Sequence, residues 1–170
     1  MDQQHPPKKT KKRSPELSLR GRALRLLGRR EFSRQELDKK LRPYVDADHP
    51  DELNAVLDDL AERGWLSDAR YADALVRKHT GQYARRSIAQ KLKQAGINED
   101  VTAAALAQHV ESDPDEEFFA ALALCQRKFR RAPVDQKEKA RQIRFLQSRG
   151  YSIGLALRVL KQAEGKDSSE

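Results

Sequence analysis

The feature that most constrains this chain is an internal repeat: one apolar skeleton recurs three times with a period of about 50 residues. A repeat is sought first because missing one misassigns the whole fold. Each copy opens with a helical stretch holding an Ala/Leu pair, Ala23-Leu24, Ala74-Leu75 and Ala121-Leu122. Leu24, Leu75 and Leu124 fall 51 and 49 residues apart. A second, basic helix follows with apolar positions three or four apart: Leu37 and Leu41, Ile88 and Leu92, Ile143 and Leu146. Third helices are read at Leu53-Val56-Leu57-Leu60, at Val101-Ala104-Ala105-Leu106 and at Ile153-Leu157-Val159-Leu160, all at helical spacing.

In copies two and three the second helix ends alike, in Gly96-Ile97-Asn98 and Gly150-Tyr151-Ser152. Glycine suits the left-handed position past a helix end, the apolar residue folds back on the last turn, and Asn or Ser caps the next helix. These are tight helix-turn-helix corners. Copy one departs: Pro43 to Pro50 form a longer loop, with Pro50 suited to a first helical turn. At the junction of copies one and two, Gly64 stops a helix, Trp65 and Leu66 cover the corner, and Ser67 or Asp68 caps the next helix. Trp65 and Tyr71 read as core residues.

Each unit is small for burying its own apolar faces, so neighbours are expected to pack in series. The expected fold is all-α: an elongated, curved array of three tandem three-helix units, helix-turn-helix-like, behind a disordered basic N-terminal arm. The boundaries are 1–18 for the arm, 19–64, 65–111 and 112–164 for the three units, and 165–170 for a disordered tail.

Charge separates arm from body. The chain carries a net +8, and residues 1–30 alone hold ten Lys/Arg against Asp2 and Glu16. Lys8, Lys9, Lys11, Lys12 and Arg13 crowd beside prolines there, in a segment with too little apolar surface to fold. Two body windows are locally basic. Residues 74–98 hold six Lys/Arg and no acid, and residues 127–149 hold nine against Asp135 and Glu138. No apolar run approaches the roughly 18 residues of a membrane span; the chain is expected to be cytoplasmic, without membrane partners. Cys125 is the single cysteine, and the four histidines show no zinc-site spacing. With no phosphate-cradling glycine motif and no nucleophile beside a base, the chain reads as a non-enzyme needing no cofactor and no metal.

The run GWLSDARYADALVRKH (Gly64 to His79), followed by IAQKLKQAGI (Ile88 to Ile97), resembles the RecX family of bacterial recombination regulators. The likeness is dense from Gly64 to Gly96 and consistent in order from Ala23 to Leu160. One departure is Thr80-Gly81, where the family usually has a basic residue before Gly. The resemblance implies a negative modulator of the RecA recombinase that lies in the groove of the RecA filament on single-stranded DNA. There it would inhibit ATP hydrolysis, strand exchange and the coprotease activity behind the SOS response, placing the chain in DNA repair and recombination.

Candidate partner-binding residues are Arg70, Arg77, Lys78, Arg85 and Arg86 in the middle unit and Arg127, Lys128, Arg130 and Arg131 in the third. They are suited to carboxylates or phosphate. The arm residues Lys8, Lys9, Lys11, Lys12 and Arg13 are expected to add weak, salt-sensitive attraction to single- or double-stranded DNA. A monomer is expected. The alternatives are a helix-turn-helix transcription factor and a general single-stranded DNA binder. The first is disfavoured by Ala/Leu-rich candidate recognition helices, the second by few aromatics outside core spacing.

Overall fold

The computed structural model describes residues 17–109, 113–129 and 131–167, with side chains described as far as residue 163. Among the described residues there are nine α-helices and no strand. The first unit comprises α1 (Leu19–Leu27), α2 (Arg34–Leu41), a 3-10 turn (Arg42–Tyr44) and α3 (Glu52–Glu62). The second comprises α4 (Asp68–His79), α5 (Arg85–Gln94) and α6 (Glu99–His109). The third comprises α7 (Pro114–Lys128), α8 (Gln136–Ser148) and α9 (Ile153–Asp167). The arm candidates Lys8, Lys9, Lys11, Lys12 and Arg13 lie outside the described residues, as does Arg130. Ser18, read as part of the arm, is the N-cap of α1 and accepts a hydrogen bond from the Gly21 N–H. At the other end α9 runs to Asp167, three residues into the expected tail.

Each unit builds its own core. Leu37, Leu41, Leu57 and Leu60 anchor the first, Ile88, Leu92, Ala72 and Val76 the second, and Leu146, Tyr151, Val159 and Leu160 the third, all nearly or fully buried. Burying one such side chain contributes about 1.5–3 kcal/mol, against about 0.5–1.5 kcal/mol for a typical hydrogen bond. Substantial helix-to-helix packing falls within units. The three cores are distinct but not sealed from one another: Ala84 of the second unit is buried in the third core, as packing in series requires.

Three register details also differ. Three fully buried first-helix positions recur in register, Ala23, Ala72 and Ala121, each 0% exposed and 49 residues apart at both steps, whereas Leu24 is 38% exposed. A methyl-sized residue there lets the other two helices approach α1, α4 or α7 closely. In α8 the inward residue is Gln142, with Ile143 only partly buried. Leu37, Ile88 and Gln142 are thus equivalent, each followed four residues later by a buried leucine, Leu41, Leu92 or Leu146. Gln142 satisfies its amide by accepting from the Cys125 thiol at 3.6 Å and donating to the Arg131 carbonyl at 3.4 Å. Finally, Trp65 is 45% exposed and not a core residue, while Leu66 and Tyr71 are buried. In α9, Ile153 and Leu157 also face solvent.

The glycine corners form as their chemistry dictates. Gly96 and Gly150 have φ of +79° and +93°, and Asn98 and Ser152 accept from the N–H groups of Val101 and Leu155.

Candidate functional site

The joints between units share one construction. The N-terminus of the second helix of each unit sits on the helix-turn-helix corner of the next. In the first joint the Ser33 hydroxyl, fully buried ahead of α2, donates to the Ala95 carbonyl at 2.7 Å. In the second, the Ala84 N–H donates to the Arg149 carbonyl at 2.9 Å. Ser33 and Ala84 each stand four residues before an equivalent core residue, and Ala95 and Arg149 each immediately precede the corner glycine. A Cβ on Gly96 would come within 2.9 Å of the Gln35 Cβ, and one on Gly150 within 2.6 Å of the Ser87 Cβ. These glycines therefore do two jobs, supplying a left-handed turn and leaving room for the preceding unit.

The first and third units depart from this construction. In the first, the corner between α2 and α3 is an extended loop without glycine. In the third unit α8 begins about one turn earlier than α2 and α5 relative to the shared core position. Asp135 caps that turn through the Glu138 N–H at 2.6 Å, and the Glu138 carboxylate accepts from the Val134 N–H and pairs with Arg131.

The motif Asp68-Ala69-Arg70-Tyr71-Ala72 closes the first joint. The Asp68 carboxylate accepts from the Arg34 N–H at 2.8 Å, completing the N-terminus of α2 from the neighbouring unit. Arg70 pairs with Glu31 at 2.9 Å and also donates to the Trp65 carbonyl. The Tyr71 hydroxyl donates to Glu36 at 3.1 Å. Burial and that carboxylate push the Tyr71 phenol up to about 12. Ser33 and Glu36 carry the S-x-x-E spacing of a capping box, a sequence signal for this joint. Glu31 and Gln35 carry none.

At the second joint a cleft of about 620 Å3 opens between the second and third units. Tyr83, Arg85, Arg86 and His109 line one side, Glu116 and Glu117 the other, with Tyr151 at its base. Three of the candidate arginines gather around it, each donating to a main-chain carbonyl. Arg85 reaches Leu106 at 3.3 Å, Arg86 reaches Gly150, and Arg127 reaches Gly81 at 3.3 Å. Burial and the nearby Glu117 carboxylate raise the Tyr151 phenol. Elsewhere Arg77 pairs with Asp73 at 3.2 Å, and Arg131 with Glu138 at 3.4 Å. Lys78 and Lys128 are exposed. Arg70 stands apart at the first joint. The candidates thus form one cluster at the second joint with separate cations around it. Among the described residues no cluster of His, Cys, Asp or Glu could hold a metal ion, and no helix is long and apolar enough to cross a membrane.

Three helical cores packed in series and clothed in charge define a tandem-repeat protein of helix-turn-helix-like units. Comparison with known proteins places it further. The profile of the second three-helix domain of RecX matches residues 67–106, and that of the third matches residues 115–160. Regulatory protein RecX of Chromobacterium violaceum is 38% identical over 153 residues, covering 90% of this chain and 95% of its own. Regulatory protein RecX of Leptothrix cholodnii is 42% identical over 150 residues, covering 88% and 92%. The crystal structure of RecX from Lactobacillus salivarius shares the fold, with a TM-score of 0.63 at 17% identity over 86% of this chain and 94% of that one. The chain belongs to the RecX family of regulatory proteins.

Proposed function

We propose that this protein is a negative modulator of the RecA recombinase, binding in the groove of the RecA filament on single-stranded DNA. The observation that carries this reading is the serial construction of the array. Three cores are joined in series, with Ala84 of the second unit packed into the third core beside the Gly150 corner, so the chain can extend across neighbouring subunits of a filament. A 15-residue helix such as α7 or α9 is about 22 Å long, so units in series reach further than one packed globule of the same mass. RecX membership supports the choice of partner through the resemblance described above. Inhibition of ATP hydrolysis, strand exchange and coprotease activity follows from occupying the groove and needs no chemistry by the protein itself, in keeping with the non-enzymatic reading.

On this reading the cationic cluster at the second joint, together with Arg77, Lys78, Lys128 and Arg131, faces carboxylates or phosphates of the filament. The arginines already bound to carbonyls are held in fixed orientations, which lowers the entropy lost on pairing. The test is cosedimentation of the purified protein with RecA filaments on single-stranded DNA, alongside strand exchange. Binding with loss of exchange at concentrations comparable to RecA is expected. Absence of both rejects the proposal.

A further inference from the structure

The first unit carries a cleft that the filament reading does not use. It lies between α1 and the 3-10 turn and has a volume of about 230 Å3. Arg22, Arg25 and Lys40 line it, and no carboxylate does among the described residues. Leu26 and Leu41 supply apolar wall, and Tyr44 stands at its edge, 54% exposed. The Arg22 guanidinium lies over the Tyr44 ring, 4.0 Å from its centroid, and its Nε donates to the Leu17 carbonyl at 2.9 Å. Arg22 is therefore a fixed backing that holds the ring, while Arg25 and Lys40 are exposed cations beside it. Leu17, also lining the cleft, is the first described residue, and Lys8, Lys9, Lys11, Lys12 and Arg13 precede it within nine positions of the chain.

We propose that this cleft is a binding site for single-stranded nucleic acid, in which Arg25 and Lys40 pair with backbone phosphates and a base stacks on the Tyr44 ring. Cations in a cleft lined by no carboxylate among the described residues select an anion. An aromatic ring backed by a guanidinium beside aliphatic surface selects a ligand that also has a flat π face, the combination by which single strands are held without sequence preference. An acidic peptide would use the cations and leave the ring idle. Duplex DNA keeps its bases stacked internally and presents no face to Tyr44. The site is independent of the recombinase reading and can fail or stand without it.

The test uses the full chain alone, with a fluorescently labelled oligothymidylate and anisotropy measured across a salt series. Each phosphate contact on a single strand contributes roughly 0.7 to the slope of log affinity against log salt. The double substitution Arg25→Gln with Lys40→Gln is thus expected to lower that slope by about 1.4 and to weaken binding severalfold at low salt. Tyr44→Leu is expected to weaken binding with the slope unchanged, and Tyr44→Phe to restore it. An oligonucleotide carrying 5-iododeoxyuridine is expected to photocrosslink to Tyr44. All three side chains changed or labelled here are exposed, and circular dichroism verifies that each variant remains folded. The proposal is overturned if the double variant keeps wild-type affinity and slope. It is equally overturned if crosslinks fall only outside the first unit, or if polyglutamate occupies the cleft and oligothymidylate does not displace it.

Discussion

Replacing Gly150 with alanine tests the joint between the second and third units, because two separable costs meet at one atom. The backbone at Gly150 has φ of +93°, a conformation that costs an L-residue about 1–2 kcal/mol. The added methyl would also lie 2.6 Å from the Ser87 Cβ and 3.4 Å from the Ala84 Cβ. The near contact is with a Cβ fixed on α5 and not with the end of a flexible side chain, so relief requires the units to move apart, adding about 1–3 kcal/mol. Gly81 is the control: its φ is +70° and a Cβ there would meet nothing within 4 Å. Gly81→Ala should therefore cost about 1–2 kcal/mol and Gly150→Ala about 2–5 kcal/mol, read by urea unfolding followed by circular dichroism. Ser87→Gly removes the opposing methylene, so a double-mutant cycle between positions 87 and 150 should return about 1 kcal/mol or more of favourable coupling. Equal costs for the two glycine substitutions, with additive behaviour at 87 and 150, would refute the close approach and with it the account of the joint.

Other outcomes follow from the same contacts. Gln142→Leu places at the third core the kind of residue found at Leu37 and Ile88, and is expected to leave stability unchanged or raise it by about 1 kcal/mol, because the Arg131 carbonyl it abandons lies on an exposed residue. Protease sensitivity around residues 131–135 should increase in that variant. Tyr71 keeps its proton in the folded protein to about 12, above its ordinary 10.0, so the unfolded chain ionises first. Stability should fall as pH rises through this interval, and Tyr71→Phe should flatten that fall in an alkaline unfolding series. Cys125 is 4% exposed and burial pushes its thiol up to about 11. Its reaction with a disulfide reagent at neutral pH should be slow in the native protein and rapid in urea.

What the sequence discloses and what it conceals divide along physical lines. Helices and glycine corners are legible because periodicity and turn chemistry are local, as at Gly96-Ile97-Asn98 and Gly150-Tyr151-Ser152. The three-fold recurrence follows from the same signals. The finer register is harder: Ala23, Ala72 and Ala121 are the equivalent positions, yet the larger leucines beside them dominate any apolar alignment, and Leu24 proves exposed. Gln142 is invisible to an apolar pattern because its polarity is satisfied by Cys125 and by a carbonyl, and a carbonyl has no sequence signature.

The joints are concealed for a related reason. Ser33 meets Ala95 across 62 residues, and Arg86 meets Gly150 across 64. Nothing local marks either pair, although Ser33-x-x-Glu36 and the corner glycines are signals in their own right. Candidate arginines chosen by charge turn out to include two, Arg86 and Arg127, that tie the second and third units together through carbonyls. Arg70 likewise joins the first unit to the second through Glu31. The Asp68-to-Ala72 motif, on which the family resemblance rests most densely, is thus a joint as much as a surface.

The central claim, that a serial array inhibits a recombinase filament, is tested most directly by RecA ATP hydrolysis on single-stranded DNA during titration with this protein. Wild type should suppress hydrolysis at amounts comparable to RecA, and Gly150→Ala, with its second joint forced open, should suppress it much less at the same folded concentration. Hydrolysis unchanged by the wild type, or suppressed equally by the variant, would contradict the account.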